Sequence, residues 1–355
     1  MRAFNRVLLG ASGIAAIMVS MFGHAEAANR KITIATAHPT PVVTEDVYVY
    51  GVPMALGYYA EEGLEIEFQG SSGSGASLQM VEAGSVLFGA AESDAVLQAR
   101  EQGAKAKAFY TLKQRSSYTI GVLPDSPIKQ LSDLKGKKIG SLSLGVGAVG
   151  VTKASLEAIG IPATDYTLIA TGGGAPAAVA LREGRVDALG VPMWAFGRME
   201  NDGMTLRYIT LPANSRKAGF TLVATDATLE KEKKAAIGIC RAISRGLYFA
   251  LQNPVKAIEL FYKTFPQAKP QNVNVDAQAK ADLHILQGFL ADAVLEGPNE
   301  QLGSLSEKRW TEAAKFIQEL GIYQGKAKVQ DAMTEAFGAE CNNFDRAAIE
   351  RQARN

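Results

Sequence analysis

The sequence predicts an α/β fold of two lobes, each with a doubly wound parallel sheet covered by helices on both faces. Short β-branched or apolar segments alternate with helical patterns along the chain, which is typical of such sheets. Two polar breaks that contain proline, at 124–127 and 212–217, enclose one group of βα units. The chain is therefore expected to cross twice between the lobes, with residues 28–120 and 216–355 in lobe 1 and residues 121–215 in lobe 2. Two short crossings of this kind allow hinge closure over a ligand.

The alternation assigns each element in chain order. In lobe 1 it predicts strands at 31–37, 64–68, 86–90 and 106–111, with helices at 48–61, 76–83 and 95–102. An apolar segment at 118–123 then leads into the first break. In lobe 2 it predicts strands at 138–142, 166–170 and 188–192, with helices at 148–159, 175–183 and 194–201. A further strand at 220–224 follows the second break, and the remaining residues have helical patterns.

The first 27 residues have the three parts of a secretory signal peptide. Arg2 and Arg6 precede an apolar run over 7–22, and Ala25 and Ala27 stand at the −3 and −1 positions of a cleavage site. A membrane anchor is the alternative, but this run is shorter than the ~18–20 residues that span a bilayer, and glycine and serine dilute it. We therefore expect a cleaved chain in the periplasm.

The charges are nearly balanced, with 37 Lys and Arg against 36 Asp and Glu. Cleavage after residue 27 makes the two numbers equal, which argues against a nucleic-acid or anionic-membrane partner. His38 and His284 are the histidines left after cleavage, and no cysteine cluster accompanies them, so neither a metal nor a cofactor is expected. Cys240 shares a helical face with apolar residues and is expected to be a buried thiol, although an oxidising compartment also permits a disulfide with Cys341.

Three loops rich in glycine and serine, at 70–75, 143–148 and 171–174, each fall between a predicted strand and a helix. Backbone N–H groups and the helix dipole at that position favour an anionic or strongly polar ligand. Ligands of doubly wound sheets bind at this edge. The glycines could simply allow tight turns, but the loops come from both lobes and are expected to face one cleft.

The middle loop also has the GxGxxG spacing of a dinucleotide site, with Gly145, Gly147 and Gly150. Such a site needs an acidic residue at the end of the next strand. Asp165 precedes the strand predicted at 166–170, so it would lie at the opposite edge of the sheet. A nicotinamide-dependent oxidoreductase is therefore disfavoured.

Four segments carry a family resemblance: ALGYYAEEGLEIEF from residue 55, GSGASLQMVEAGSVLFGAAESDAVLQARE from residue 73, DLKGKKIG from residue 133 and ALREGRVDALGVP from residue 180. In this order they resemble periplasmic solute-binding proteins for aliphatic sulfonates, taurine, nitrate and thiamine precursors, over about residues 31–265. The resemblance implies a type II-like periplasmic-binding-protein fold. It also implies a non-enzymatic component of an ABC importer, a small-molecule ligand, and a permease with its ATPase as partners of a monomeric protein.

The resemblance also implies ligand contacts, by position. They fall near the end of the first strand, in the three glycine-rich loops, and after the strand at 86–90: His38, Ser72, Gly73, Ser74, Gly75, Glu92, Ser93, Asp94, Ser143, Gly145, Gly147, Ala148, Gly173 and Gly174. Trp194 is a candidate lid or stacking residue, with packing inside lobe 2 as the alternative.

The charge of the ligand stays open. Lys113 or Arg115 would favour an anion if either reached the cleft, whereas Glu92 and Asp94 would favour an amine or a hydroxyl donor. Asp94 could instead cap the helix that follows it. Two other functions also remain. A binding protein that presents its ligand to a chemoreceptor or sensor would have the same fold, and the pyrimidine-synthesising relatives are enzymes, although this chain lacks their cysteine-rich motif.

Overall fold

Two five-stranded sheets form the centres of two lobes in the computed structural model, which describes residues 29–144, 147–201, 203–270, 274–295 and 300–354. The predicted α/β fold is confirmed. The signal peptide predicted over 1–27 lies outside the described residues. Within the described ranges, no helix is long and apolar enough to cross a membrane.

The chain forms ten strands and fifteen α-helices in these ranges. The strands are β1 (Arg30–Ala35), β2 (Leu64–Gln69), β3 (Phe88–Glu92), β4 (Ala106–Lys113), β5 (Tyr118–Val122), β6 (Lys138–Ser141), β7 (Thr167–Ala170), β8 (Ala188–Pro192), β9 (Arg207–Thr210) and β10 (Phe220–Thr225). The helices are α1 (Val52–Ala55), α2 (Tyr58–Glu61), α3 (Ser74–Glu82), α4 (Ser93–Glu101), α5 (Gly147–Glu157), α6 (Ala175–Arg182), α7 (Met193–Asn201), α8 (Asp226–Lys231), α9 (Lys233–Gln252), α10 (Pro254–Thr264), α11 (Val275–Ala293), α12 (Glu307–Glu319), α13 (Val329–Ala332), α14 (Gly338–Cys341) and α15 (Arg346–Arg354).

The sheet of lobe 1 has the order β2-β1-β3-β10-β4. Its first three strands are parallel, and β10 runs antiparallel between β3 and β4. In β2, Leu64 and Ile66 are buried while Glu65 and Glu67 are exposed, as expected of an edge strand with one face on the core. The carboxyl ends of β1, β2, β3 and β4 consequently meet at one edge of this sheet.

The sheet of lobe 2 has the order β7-β6-β8-β5-β9. β6, β7 and β8 are parallel, and β5 is antiparallel to both β8 and β9. The sequence did not predict β9. This four-residue strand has the sequence RYIT and is buried only at Ile209, so it lacks the apolar run that marked the other strands. Its place at the sheet edge needs only one buried face.

The helix predicted over 48–61 is divided into a π-helical segment, Val47–Gly51, followed by α1 and α2. Gly57 separates the two helices with φ of 74°, a left-handed conformation that a continuous α-helix cannot contain. The other predicted helices occur within a few residues of their expected bounds.

The two connections between the sheets lie at 114–117, between β4 and β5, and at 211–219, between β9 and β10. The first differs from the expectation. Because β5 pairs inside the second sheet, the boundary placed between residues 120 and 121 would cut this strand. The proline-containing break at 124–127 ends β5 within lobe 2, and the connection itself is a short polar segment that no proline marks. The second predicted break, 212–217, lies inside the second connection.

Side chains hold the two connections side by side. The guanidinium of Arg309 donates to the Oε1 and carbonyl oxygens of Gln114 at 2.7 and 2.5 Å, and lies 3.5 Å from the carbonyl oxygen of Lys217. The side-chain amide of Asn214 bonds to the backbone N–H and carbonyl of Tyr118. Gly219, with φ of 81°, allows the close approach, because a Cβ there would lie 1.9 Å from the carbonyl oxygen of Lys113.

A disulfide joins Cys240 in α9 to Cys341 in α14 and closes a loop of 101 residues. The expectation of a buried thiol at Cys240 is therefore wrong. The apolar helical face around Cys240 is real, but α14 packs on it and brings the second sulfur within bonding distance. The disulfide fastens the C-terminal helices to lobe 1.

Removing this disulfide should destabilise the protein, because the unfolded chain regains the freedom of a long loop. The double variant Cys240→Ser, Cys341→Ser is expected to lose roughly 2–5 kcal/mol of unfolding free energy. Urea denaturation followed by circular dichroism, with the oxidised wild type as reference, measures the difference. Equal unfolding free energies would contradict the pairing.

Candidate ligand-binding site

A cavity of about 1000 Å³ lies where the carboxyl edges of the two sheets face each other. Lobe 1 contributes residues that follow β1 and β2, the ends of β3 and β4, and the start of β10. Lobe 2 contributes residues after β6 and β8 and the first residue of β5. One branch of the cavity extends outward over α3 and α4. The site is thus shared by both lobes and borders both connections.

Lys217, on the second connection, forms the charged floor of this cleft. Its Nζ donates to Oδ2 of Asp94 at 2.8 Å and lies 3.8 Å from Oε2 of Glu92. It also lies 4.8 Å from the ring centre of Tyr118, a cation–π distance. Burial would lower the pKa of Lys217, but Asp94, Tyr118 and Glu92 outweigh it and raise that pKa. The ammonium stays charged and joins groups from both lobes.

Gly147 brings the N-terminus of α5 against this cluster. A Cβ at this position would lie 2.8 Å from the Tyr118 hydroxyl oxygen, 3.0 Å from Nζ of Lys217 and 3.2 Å from Oδ2 of Asp94. A larger residue would have to displace the ends of these side chains, above all the Tyr118 hydroxyl. The glycine therefore leaves room for the Lys217 cluster beside the start of α5.

His38 lies on the lobe 1 side, after β1, and is 4% exposed. Its Nδ1 donates to the carbonyl of Thr40 at 3.0 Å, and its Nε2 lies 3.3 Å from Oδ1 of Asp46 and 3.8 Å from Oε1 of Glu45. Burial would lower the pKa of His38, but the two carboxylates and the Thr40 carbonyl raise it to about 9. His38 is therefore a cation at neutral pH.

The ends of three neighbouring strands place a carboxylate, an aromatic ring and an ammonium group in one row. Phe220 is paired with Glu92 on one side and with Lys113 on the other. Lys113 reaches the cavity, as the sequence allowed, and its Nζ lies 4.7 Å from the ring centre of Phe289 and 5.7 Å from that of Phe220. The row can offer a ligand a carboxylate, an aromatic face and an ammonium at once.

The structure brings about half of the predicted contact residues to the cavity. Those that line it are His38, Ser72, Gly73, Ser74, Gly75, Glu92, Asp94 and Gly147. Not among the lining residues are Ser93, Ser143, Ala148, Gly173, Gly174 and Arg115. Gly145 and the side chain of Trp194 lie outside the described part of the chain.

Local structure explains why some of the predicted residues do not line the cavity. Ser93 is 1% exposed because it begins α4, and its N–H donates to the carbonyl of Gly219. Ala148 is fully buried inside α5, and Ser143 is exposed to solvent. Asp94 lies in the first turn of α4 and not at its N-cap. Its Oδ1 accepts from the N–H of Ala95, while Oδ2 binds Lys217, so its charge is already paired.

Sequence reasoning missed Glu45, Tyr118, Lys217 and Phe289, which line or underlie the cleft. Lys217 was assigned to a polar break and Phe289 to the undivided helical remainder. An acidic pair at Glu45 and Asp46, directly before the apolar run VYVYG, was the available signal, because carboxylates are rarely buried without a partner.

The fold, with two α/β lobes around a shared cleft, is that of the periplasmic binding proteins. The chain belongs to the NMT1/THI5-like family, whose family model matches residues 48–257. This confirms the resemblance drawn from the sequence motifs.

Among curated proteins, the chain is 26% identical over 296 residues to the riboflavin-binding protein RibY of Chloroflexus aurantiacus, covering 81% of each. Among solved structures it resembles the alkanesulfonate-binding protein SsuA of Xanthomonas axonopodis pv. citri bound to MOPS, with a TM-score of 0.64 and 16% identity, over 86% of this chain and 98% of that one. The periplasmic aliphatic sulphonate binding protein SsuA of Escherichia coli gives a TM-score of 0.62 and 16% identity, over 86% and 92%. The desulfurization enzyme DszB gives a TM-score of 0.57 and 14% identity, over 88% and 99%, so the same fold also occurs in an enzyme.

The buried His38 cation should make stability depend on pH. Its pKa is about 9 in the folded protein and about 6.5 when unfolded, so its stabilising effect is complete below pH 6.5 and is lost as pH rises through 9. The loss is on the order of 3 kcal/mol. Urea unfolding of wild type and His38→Gln between pH 6 and 10 isolates this contribution, since the other groups titrate in both proteins. Parallel pH profiles for the two would contradict a charged His38.

Proposed function

We propose that this chain is the extracytoplasmic solute-binding component of an ABC importer, which captures a small polar molecule by lobe closure and delivers it to the permease. The observation that carries the proposal is the cavity lined by the carboxyl edges of both sheets. A ligand there touches both lobes at once, so it binds the closed arrangement more tightly than an open one. That difference in affinity is what drives closure.

The two short connections at 114–117 and 211–219 are the proposed hinge. They lie side by side, and Arg309 holds both of them by hydrogen bonds to Gln114 and to the carbonyl of Lys217. Rotation about two adjacent segments moves lobe 2 as a rigid body. Export by the signal peptide at 1–27 would place lobe closure in the periplasm, where the protein would deliver its ligand to the permease.

The charged groups of the cleft support binding over catalysis. Lys217 is occupied by Asp94 and Glu92, and His38 by Asp46 and Glu45. Groups held in such ion pairs orient a ligand and each other, whereas a catalytic nucleophile needs a neighbouring base that is free to take its proton. Both cysteines are joined in the disulfide and offer no thiolate. We therefore propose that the protein is not an enzyme.

The ligands named for the relatives give the first compounds to test. RibY binds riboflavin, and one SsuA structure holds MOPS. The side chains of Tyr118, Phe220 and Phe289 line this cavity and give it aromatic walls. Such walls suit a ligand with a ring, because a ring buries more apolar surface against them than nitrate or another small ion. Riboflavin is our first candidate.

Gly75→Asp should abolish tight binding of a ligand that uses the N-terminus of α3. Gly75 lies in the first turn of α3, and a Cβ there meets nothing within 4 Å, so the variant should fold. Its carboxylate would occupy the space in which the helix N–H groups meet ligand oxygens. We expect a ten- to hundredfold weaker affinity, the value of one charge-assisted hydrogen bond.

Thermal shift with riboflavin, MOPS, carboxylates, amines and pyrimidines identifies the compound, because a ligand at 100 times its Kd adds about 2.7 kcal/mol of stability. Calorimetry then compares wild type, Gly75→Asp and the control Ala277→Asp, which places the same charge in the first turn of α11. If Gly75→Asp binds like the control, the ligand lies elsewhere. If no compound of the panel binds, the proposed function is contradicted.

A further inference from the structure

Glu45 is a buried carboxylate with an unused oxygen at the cavity. The residue is 6% exposed and lines the cleft. Its Oε1 lies 3.8 Å from Nε2 of His38, while its Oε2 is buried and has no hydrogen-bond partner in the part of the chain that the structure describes. Leaving a buried acceptor unsatisfied is unfavourable, and more so for a charged group. An N–H or O–H group of a ligand would remove that cost.

Lys113 is a buried cation that offers hydrogen-bond donors to the same cavity. It is 6% exposed, lines the same cavity, and packs its Nζ against the rings of Phe289 and Phe220. Across the described ranges, no carboxylate lies within 4.0 Å of this nitrogen and no side chain accepts a hydrogen bond from it, in contrast to Lys217. Its three N–H donors are therefore available to an oxygen atom of a ligand.

The charge balance of the cleft restricts the net charge of a ligand that offers a hydrogen-bond donor to Glu45 and an oxygen acceptor to Lys113. Among the described residues, three cations meet five anions at the cavity and its floor: His38, Lys113 and Lys217 against Glu45, Asp46, Glu82, Glu92 and Asp94. Asp292 and Arg115 lie just beyond Lys113 and have opposite charges. A simple anion would gain Lys113 but would add negative charge to an excess of carboxylates and leave Glu45 unsatisfied.

Resting on the proposed function, we infer that Glu45 and Lys113 form a specificity pair that selects ligands of zero net charge carrying both a hydrogen-bond donor and an oxygen acceptor. The donor binds Glu45 and the acceptor binds Lys113. Phe220 and Phe289, beside Lys113, contact the apolar part of the ligand. Neutral ring amides and zwitterions share this chemistry.

Two matched pairs of probes distinguish neutral ring amides from zwitterions and test whether the site selects ligands of zero net charge. Riboflavin and riboflavin 5′-phosphate share a ring system and differ by an anionic group, and β-alanine and propanoate differ by the ammonium that makes the first a zwitterion. Calorimetry should show the neutral member of at least one pair binding at least ten times more tightly than its anionic partner. The pair that responds identifies the source.

Other results are equally decisive. If the anionic member of both pairs binds as tightly as its neutral partner, or if an anionic probe binds and neither neutral probe does, the specificity inference is wrong while the proposed function stands. If no compound of the whole panel binds, both are contradicted.

Variants of Glu45 and Lys113 test whether these two residues cause the preference for the neutral probe. Glu45→Gln keeps the side-chain size but removes a negative charge, so it should weaken the neutral probe about ten- to hundredfold and narrow its advantage over the anionic partner. Lys113→Met fits the same aromatic surroundings and should weaken both members of the pair. The controls Glu65→Gln and Lys129→Met make the same changes at exposed positions and should bind like wild type.

The ratio between the neutral and the anionic probe distinguishes recognition from structural damage. A purely structural role of Glu45 would weaken both probes equally and leave the ratio unchanged, which would overturn the inference. Circular dichroism of each variant verifies that it is folded. Retention of wild-type affinity and ratio in both variants would also overturn it.

Discussion

The ion pair between Lys217 and Asp94 is the contact on which the arrangement of the cleft depends. Lys217 belongs to the second connection, and Asp94 to the first turn of α4 in lobe 1. The ring of Tyr118, at the start of β5 in lobe 2, lies over the same ammonium. A lysine that is 3% exposed must be compensated, and its partners come from both sides of the hinge. Removing either partner would leave a buried charge, which is strongly destabilising.

The topology explains why these groups meet. In both sheets the parallel strands end at the cleft, while β5 and β10 run in the opposite direction and begin there. Each connection therefore has to pass along the edge where the ligand site forms. The register of β10 brings Lys113, which ends β4, and Glu92, which ends β3, to opposite sides of Phe220. The hinge and the binding surface are built from the same short segments.

Much of the fold could be predicted from local patterns. The strands with continuous apolar runs and the glycine-rich loops were visible because each depends on its own residues, and Gly75 and Gly147 do lie at the cavity. The position of the first connection and the short edge strand β9 depend instead on pairing between distant segments. The disulfide between Cys240 and Cys341 depends on the packing of α14 against α9, which no spacing encodes.

The charges of the site were harder to predict from the sequence, because they too depend on contacts between distant segments. Glu92 and Asp94 were expected to face the ligand with free charges, but a lysine more than 120 residues away in sequence neutralises Asp94 and approaches Glu92. Among the described residues, Glu45 is a buried carboxylate with an unpartnered oxygen, and its sequence signal, the acidic pair before VYVYG, does not show which charge stays unpaired. Which charges remain available to a ligand is decided by tertiary contacts, whereas the location of the site is decided largely by topology.

The central claim is that one ligand binds both lobes and closes them. Small-angle X-ray scattering of the cleaved protein, with and without a saturating amount of the compound that gives the largest thermal shift, tests it most directly. Closure about the segments 114–117 and 211–219 should lower the radius of gyration and the maximum dimension on binding. Scattering curves that superimpose, while calorimetry shows the ligand bound, would contradict the account.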